Sequence, residues 1–331
     1  MSIVTPVYNR ENYIEKTIKS ILNQTYENFE YIIVNDCSID NTGKILKSYS
    51  KKDARIKILN NSKNRGPTYT AAKGYYSSKG KYIARLDSDD FSYPNRLEKQ
   101  VKFLESNPKI GMVGSHAATN NKNPMKVPVS NKEIKYTALF TTPIINSCKM
   151  FRKDLLDFLD VNLSDKGSWE VVGDKTHYNF FVDINRVSKV ANLDEKLVYC
   201  HRHKGSHSSI VNKSLENKVE FLKPIWIKAF NNIGININKK DLDIHSKLKL
   251  GGEKKEDLID VDLWLKKLYS IKKDKTFYKI ISNKFHKFHY KSSKAGINNI
   301  IYYFKNRKFY NYNNISKKFI LKLIIKSLIK Y

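Results

Sequence analysis

Over the first 115 residues, short β-branched runs alternate with stretches of helical periodicity. Residues 2–7 form one such apolar run and predict a strand, and residues 10–24 follow with Tyr13, Ile14, Thr17, Ile18, Ile21 and Leu22 on one helical face. The same reading predicts strands over 29–34, 56–59 and 82–86, separated by helices over 42–49 and 68–77. The polar run Asp87-Ser88-Asp89-Asp90 comes next, then a helix over 94–106 with Pro94 suited to its first turn, then a strand over 110–115. Strands and helices in alternation predict an α/β class: a Rossmann-like open sheet, mostly parallel, flanked by helices.

The later chain reads differently. Residues 216–233 and 258–271 are amphipathic helices by spacing, and 315–330 carries Lys318, Lys322, Lys326 and Lys330 at every fourth position beside Phe319, Leu323, Ile324 and Leu328. Turn signals recur every 10 to 15 residues in the first half and thin out later, which places the main boundary near Ser209. The expected domains are 1–209, with halves 1–115 and 116–209, and an α-helical, Lys-rich extension over 210–331.

Charge sharpens that division. Of 331 residues, 61 are basic and 32 acidic, a net +29, and residues 271–331 hold 16 basic side chains against one acidic. Such a field favours a polyanionic neighbour, whether nucleic acid, an anionic membrane or a phosphorylated substrate. At 40% hydrophobic the chain can bury a core, so wholesale disorder is excluded. Cys37, Cys148 and Cys200 are odd in number and form no CxxC pair, which argues against a disulfide scaffold or zinc ribbon and for a reducing cytoplasm. Residues 2–7 meet Pro6, Asn9 and Arg10 too soon for a signal peptide, and the apolar run 319–329 is too short and too lysine-broken to span a bilayer.

Candidate chemistry gathers where an open α/β sheet binds ligands, outside the carboxyl ends of its strands. Thr5 to Asn9 closes the first strand, Asn35 to Asp40 the second, and Asp87 to Asp90 the fourth. Singly, these clusters fit helix caps and turns. Together they bring carboxylates near one another, where they repel unless a cation neutralises them. Mg²⁺ and Mn²⁺ take hard oxygen ligands, often one or two carboxylates plus substrate phosphates. The chain has no GxGxxG and no GxxxxGK[ST], so neither a dinucleotide fingerprint nor a P-loop accounts for a phosphate site.

The ordered set Thr5-Pro-Val-Tyr-Asn9, Ser20-Ile-Leu-Asn-Gln-Thr-Tyr26, Val34-Asn-Asp-Cys-Ser-Ile-Asp-Asn-Thr42, Asn64-Arg-Gly66 and Leu86-Asp-Ser-Asp-Asp90 resembles the family 2 glycosyltransferases of the GT-A fold. The resemblance covers roughly residues 1–210. It implies inverting transfer of a sugar from a nucleoside diphosphate, with a lean to uridine, to a hydroxyl of a glycan or lipid-linked acceptor. It also implies a nucleotide-sugar site at Pro6, Tyr8, Asn9, Asp36, Asn64, Gly66, Asp87 and Ser88, with Mn²⁺ or Mg²⁺ on Asp89. Val172-Gly173-Asp174 resembles the family's Glu-Asp pair at a helix start, which makes Asp174 the expected base. Residues 197–209 resemble the family's Tyr-Arg-x-His-x-x-Ser-x-Ser stretch and put Arg202 or His203 by the diphosphate, with His203 as an additional metal ligand. On a strand His201 and His203 share a face opposite Arg202, which favours His203. A zinc site at His201, His203 and His207 lacks the expected partner ligands.

Four positions depart from the family pattern: Asn35 stands for Asp, Cys37 for Gly, Ala71-Ala72 for an Arg-Asn pair, and Gly173 for Glu. The pattern of retained residues predicts an active enzyme, against the alternative of a catalytically inactive scaffold. A nucleic-acid binder, suggested by Lys interleaved with Tyr and Phe over 302–312, is disfavoured by the absence of any RNP, helix-turn-helix or zinc-finger pattern. The basic amphipathic segment 315–330 fits either peripheral contact with an anionic membrane or a helix docked on the protein.

Overall fold

The computed structural model describes residues 1–121, 123–159, 175–203, 215–310 and 316–329. The chain divides into two compact units, one of Met1–Ile134 with Thr141–Lys213 and one of Lys135–Phe140 with Ser214–Tyr331.

The first unit is built on an eight-stranded sheet in the order β3-β2-β1-β4-β7-β6-β8-β5. Its strands are β1 (Ser2–Val7), β2 (Glu30–Asn35), β3 (Ile56–Asn60), β4 (Tyr82–Arg85), β5 (Phe91–Ser92), β6 (Ile110–Thr119), β7 (Met150–Arg152) and β8 (Lys189–Cys200). The β3-β2-β1-β4 half is parallel, β7 runs antiparallel between β4 and β6, and β6 pairs parallel with β8. Every residue of β1 is buried, as a strand covered on both faces requires. Around the sheet lie α1 (Ile14–Leu22), α2 (Thr42–Lys52), α3 (Gly66–Ser77), α4 (Arg96–Ser106), α5 (Asn131–Thr137) and α6 (Lys175–Val187). This is the open sheet with flanking helices that the resemblance implied, mixed through its antiparallel β7 and β5, and a helical C-terminal region follows it.

Two close approaches set the geometry. Ile14, Ile18 and Ile21 of α1 pack with Ile3 and Val7 of β1 and Ile33 of β2 in one apolar core. On α3, Gly74 brings the helix against β1 so tightly that an added Cβ would lie 2.4 Å from Val4 Cγ1. The strand order reverses between β1 and β4, so the carboxyl ends of β1, β2 and β4 border one crevice.

The expected elements of the first 115 residues all form. The first helix is shorter than 10–24, because residues 11–13 form a turn, and the strand expected over 110–115 runs on to Thr119. The short strands β5 and β7 have no apolar alternation of their own. They are defined by their neighbours: Phe91 pairs with Tyr199, and Phe151 lies between Ile83 and Met112.

The second unit consists of α7 (Leu215–Asn231), α8 (Lys239–Leu250), α9 (Lys255–Ile271), α10 (Lys275–Lys291), α11 (Gly296–Asn306) and α12 (Lys317–Leu328). Tyr303 and Tyr310, which by sequence fitted a base-stacking surface, are fully buried. Tyr310 donates to the Asp262 carboxylate at 2.7 Å and its ring stacks on Phe285 at 4.0 Å, so both serve the core. The last helix docks through Leu323 and Ser327 and leaves Leu321, Ile325, Leu328 and Ile329 exposed. Among the described residues no helix is long and apolar enough to cross a membrane.

Three buried histidines give this unit an acid-sensitive interior. His245 donates through Nε2 to the Leu139 carbonyl at 2.8 Å and accepts the Trp264 indole N–H on Nδ1 at 3.1 Å. Both ring nitrogens are thereby used by the neutral form, and burial lowers the group to about 3. Burial likewise lowers His286 and His289 to about 4 each. An unfolded histidine protonates near 6.5, so the unfolded state binds more protons between roughly pH 6.5 and 4. The histidine contribution is complete above pH 6.5 and is lost as pH falls through that window. At pH 5, His245 and His289 are each expected to cost about 2 kcal/mol relative to pH 7.5. Denaturant titration of far-UV circular dichroism at the two pH values checks this, and equal midpoints would refute it.

Candidate active site

The loop after β1 turns at Asn9, which takes a left-handed φ of 49°, tolerable for Asn, and clasps the loop after β2. Asn9 N–H donates to Ser38 Oγ at 3.0 Å, and Asn9 Oδ1 accepts the Ile39 N–H at 2.9 Å. Asp40 takes the Glu11 and Thr42 N–H groups. Much of the polar cluster after β2 therefore holds the crevice wall rather than facing a ligand.

Asp36 is 2% exposed and is met from three directions. Oδ1 accepts from Asn61 Nδ2 at 2.7 Å and the Arg65 N–H at 2.8 Å, and Oδ2 accepts the Gly66 N–H at 2.9 Å. Gly66 has φ +82°, a conformation a side chain would strain, and it opens α3 at this contact. Cys37, next to Asp36, is also left-handed at φ 62°. The Gly-to-Cys departure at this position thus places a Cβ where the backbone favours none, a cost of about 1–2 kcal/mol.

Beyond β4, Asp87, expected in the nucleotide-sugar site, and Asp89, the expected metal ligand, play different parts. Asp87 Oδ1 receives Arg85 Nε at 2.9 Å and Nη2 at 2.7 Å, and Asn146 Nδ2 lies 3.2 and 3.1 Å from its two oxygens. Partial removal from water pushes the Asp87 carboxyl up, but the Arg85 guanidinium, aided by Ser147 and Asn146, outweighs that and holds it at about 2. Asp90 is buried, bonded to Ser147 Oγ and the His201 N–H, and pushed up to about 7 by burial and by the charges of Asp87 and Asp89. Asp89 has no such clamp. Its Oδ2 lies 2.9 Å from His203 Nε2 and 3.7 Å from Arg10 Nε.

A cleft of about 1030 Å³ joins these groups. Pro6, Tyr8, Asn9, Asp36, Asn64, Gly66, Asp87, Ser88 and Asp89 all line it, with Ala71, His201 and Arg202. His203 is reached through its contact with Asp89 and stacks on Tyr13 at 4.7 Å, while His201 packs on the same ring at 5.4 Å. β8 ends at Cys200, so the strand alternation expected for residues 201–203 does not apply. Asp174 lies outside the described residues. α6 begins at the next residue, and its His177 and Phe180 line the cleft.

Four side chains at or behind this cleft escaped sequence reasoning, of which Arg85, Asn146 and Lys149 line it. Asn61 supports Asp36, Arg85 and Asn146 hold Asp87, and Lys149 sits 4% exposed with Nζ 4.6 Å from the Phe180 ring centroid. Burial, then the nearby Arg85 charge, lower Lys149 to about 7. A charged residue inside the apolar run 82–86 was a readable signal for Arg85. Lys149 gave none, since its partners come from α3 and α6.

Among the described residues no three His, Cys, Asp or Glu side chains form a metal cluster. Asp89 and His203 form a pair instead. A carboxylate lining the cleft with an imidazole nitrogen 2.9 Å from its oxygen suits a divalent ion that completes its shell with substrate oxygens and water.

Residues 2–159 match the Glycosyl transferase family 2 model. An uncharacterised glycosyltransferase of Haemophilus influenzae is 33% identical over 253 residues, covering 72% of this chain and 76% of that protein. The chain belongs to glycosyltransferase family 2. It is a glycosyltransferase, as the residue pattern implied. The putative teichuronic acid biosynthesis glycosyltransferase TuaG of Bacillus subtilis is 42% identical over 104 residues, 31% of this chain, and the chain spans only 41% of TuaG. In fold it is similar to the crystal structure of S. aureus TarS 1-349 in complex with UDP-GlcNAc, with a TM-score of 0.55, 19% identity, and coverage of 94% of this chain and 88% of that one.

Proposed function

We propose that this glycosyltransferase moves a sugar from a nucleoside diphosphate sugar, a UDP-sugar by preference, to a hydroxyl of a glycan or lipid-linked acceptor, with inversion in one displacement. The carrying observation is the convergence of Asp36, after β2, with Asp87 and Asp89, after β4, on one cleft. UDP-GlcNAc in the TarS complex supports the donor class, and the TuaG likeness supports a role in polysaccharide biosynthesis. The catalytic unit is assigned to residues 1–209, with 210–331 as its helical appendage, in the cytoplasm.

In this reading Pro6, Tyr8, Asn9, Asp36, Asn64 and Gly66 hold the nucleoside end of the donor, and Asp87 and Ser88 lie beneath its diphosphate. Asp89 with His203 would hold Mn²⁺ or Mg²⁺, which neutralises the charge that grows on the departing diphosphate. Arg85 keeps Asp87 ionised, and Asp174 takes the proton of the acceptor hydroxyl. The test is a panel of sugar nucleotides with Mn²⁺, followed by nucleoside diphosphate release. Turnover with one donor, lost with EDTA and restored by either ion, is the expected result. Saturable donor binding without release would favour the inactive scaffold, and neither binding nor release would end the proposal.

We assign residues 315–330 to peripheral contact with an anionic membrane. On α12 the exposed Leu321, Ile325 and Leu328 are flanked by the exposed Lys318 and Lys322, so apolar side chains can enter the headgroup layer while ammonium groups meet phosphate. Co-sedimentation with acidic vesicles should fall at least tenfold for Leu321→Glu with Ile325→Glu. Equal sedimentation of wild type and variant would remove the assignment.

A further inference from the structure

The helical unit contains a second cavity, of about 180 Å³, enough by volume for about six waters. Lys284, Lys287 and Lys291 of α10 and Lys249 of α8 border it. The three lysines of α10 are spaced i, i+3 and i+7, so they share one helix face, and the 17 residues of that helix include no acid. Like charges at these spacings oppose helix formation. A second cost stands in the wall: Trp226 is 1% exposed, and among the described residues its indole N–H has no acceptor. A buried donor without a partner costs free energy that a bound acceptor would recover.

His245 also lines the cavity, but its ring nitrogens are committed to Leu139 and Trp264. The cations that border the cavity are therefore lysines, of which Lys291 also donates through Nζ to the Leu248 and Lys249 carbonyls at 3.5 and 3.1 Å. Lys284 Nζ lies 4.9 Å from the Phe140 ring centroid, which leaves the ammonium against an aromatic wall rather than against a carboxylate. Burial, then Lys249, Lys287 and Lys291, lower Lys284 to about 7, a shift that an anion between them would reverse. The remaining walls, Leu248 and Phe319 among them, are apolar. Clustered ammonium groups over an apolar floor suit a multiply charged oxyanion carried on a carbon stem.

We propose that this cavity is a binding site for a phosphate ester, whose phosphoryl oxygens engage Lys284, Lys287 and Lys291 while its carbon portion lies against Phe140 and Phe319. The residues that border the site all belong to the helical unit. A soluble sugar or polyol phosphate and a phospholipid headgroup share the chemistry, and vesicles separate them.

The test uses the full chain with glycerol 3-phosphate as probe, in sodium chloride of matched ionic strength, read by tryptophan fluorescence and by thermal shift. Wild type should show saturable binding. The exposed Lys287→Glu should bind at least tenfold more weakly, whereas the exposed Lys305→Glu, with the same change of net charge, should bind as wild type. Vesicle binding that requires Lys287 and is displaced by glycerol 3-phosphate identifies a lipid headgroup, and binding of the soluble ester alone identifies a soluble phosphate. Equal affinity in wild type and Lys287→Glu, or no saturable response to either probe, overturns the proposal. Because binding is read without turnover, failure here leaves the donor panel untouched, and failure of the panel leaves this result standing.

Discussion

Asp89→Ala is expected to lower turnover about a thousandfold or more while leaving the fold intact. Loss of one ligand to an ion that neutralises a departing diphosphate removes several kcal/mol of transition-state stabilisation, and each 1.36 kcal/mol is tenfold in rate. The neighbouring carboxylate cannot substitute, since Asp87 is already bonded to Arg85 and Asn146. The two aspartates of the motif should therefore separate by experiment. Asp89→Ala should keep the melting temperature, because among the described residues it releases a contact to His203 and one of 3.7 Å to Arg10. Asp87→Ala should lower it, because it strands a guanidinium whose side chain is 6% exposed. His203→Gln should fall between wild type and Asp89→Ala in turnover and raise the metal concentration needed for half-maximal rate. Turnover by Asp89→Ala within tenfold of wild type would remove the metal assignment.

What the sequence disclosed and what it hid follow from range. β1 to β4 were legible because each is a compact apolar run, and the polar clusters after β1, β2 and β4 fall at the same edge of a parallel sheet. That alone placed Pro6, Asp36 and Asp89 together. β5 and β7 were hidden because a strand of two or three residues has too few positions to show a period. Asn146 and Lys149 were hidden for a related reason: they lie some 60 residues beyond the aspartates they serve, and the antiparallel entry of β7 beside β4 brings them back. Cys37 illustrates a subtler limit. As a small residue it reads as a mild replacement for Gly, yet its φ of 62° shows that the position selects for conformation, not size. In the helical unit the aromatic-rich segment resembled an exposed stacking surface, and burial of Tyr303 and Tyr310 shows the same composition serving a core.

The last prediction concerns the proton. Asp174→Asn is expected to reduce the rate constant by about 10² to 10⁴ with donor affinity unchanged within about twofold. An amide keeps the volume and one acceptor oxygen of the carboxylate but cannot take the proton that the attacking hydroxyl must lose. Asp36, Asn64 and Gly66, the groups proposed to hold the donor, lie on the β2 and α3 side of the cleft, whereas His177 and Phe180 enter it from the helix that begins directly after Asp174. Binding and deprotonation are thereby assigned to different elements, and a change confined to one should spare the other. The pH profile adds a readout that lost stability cannot imitate. If Asp174 is the base, the acid limb of the wild-type rate reports a carboxylate and disappears in the variant, leaving a low rate that is flat through that range. A variant that turns over within tenfold of wild type, or keeps the acid limb, would place the base elsewhere. Lys149, lowered to about 7 at the foot of the same cleft, would then be the next group to test.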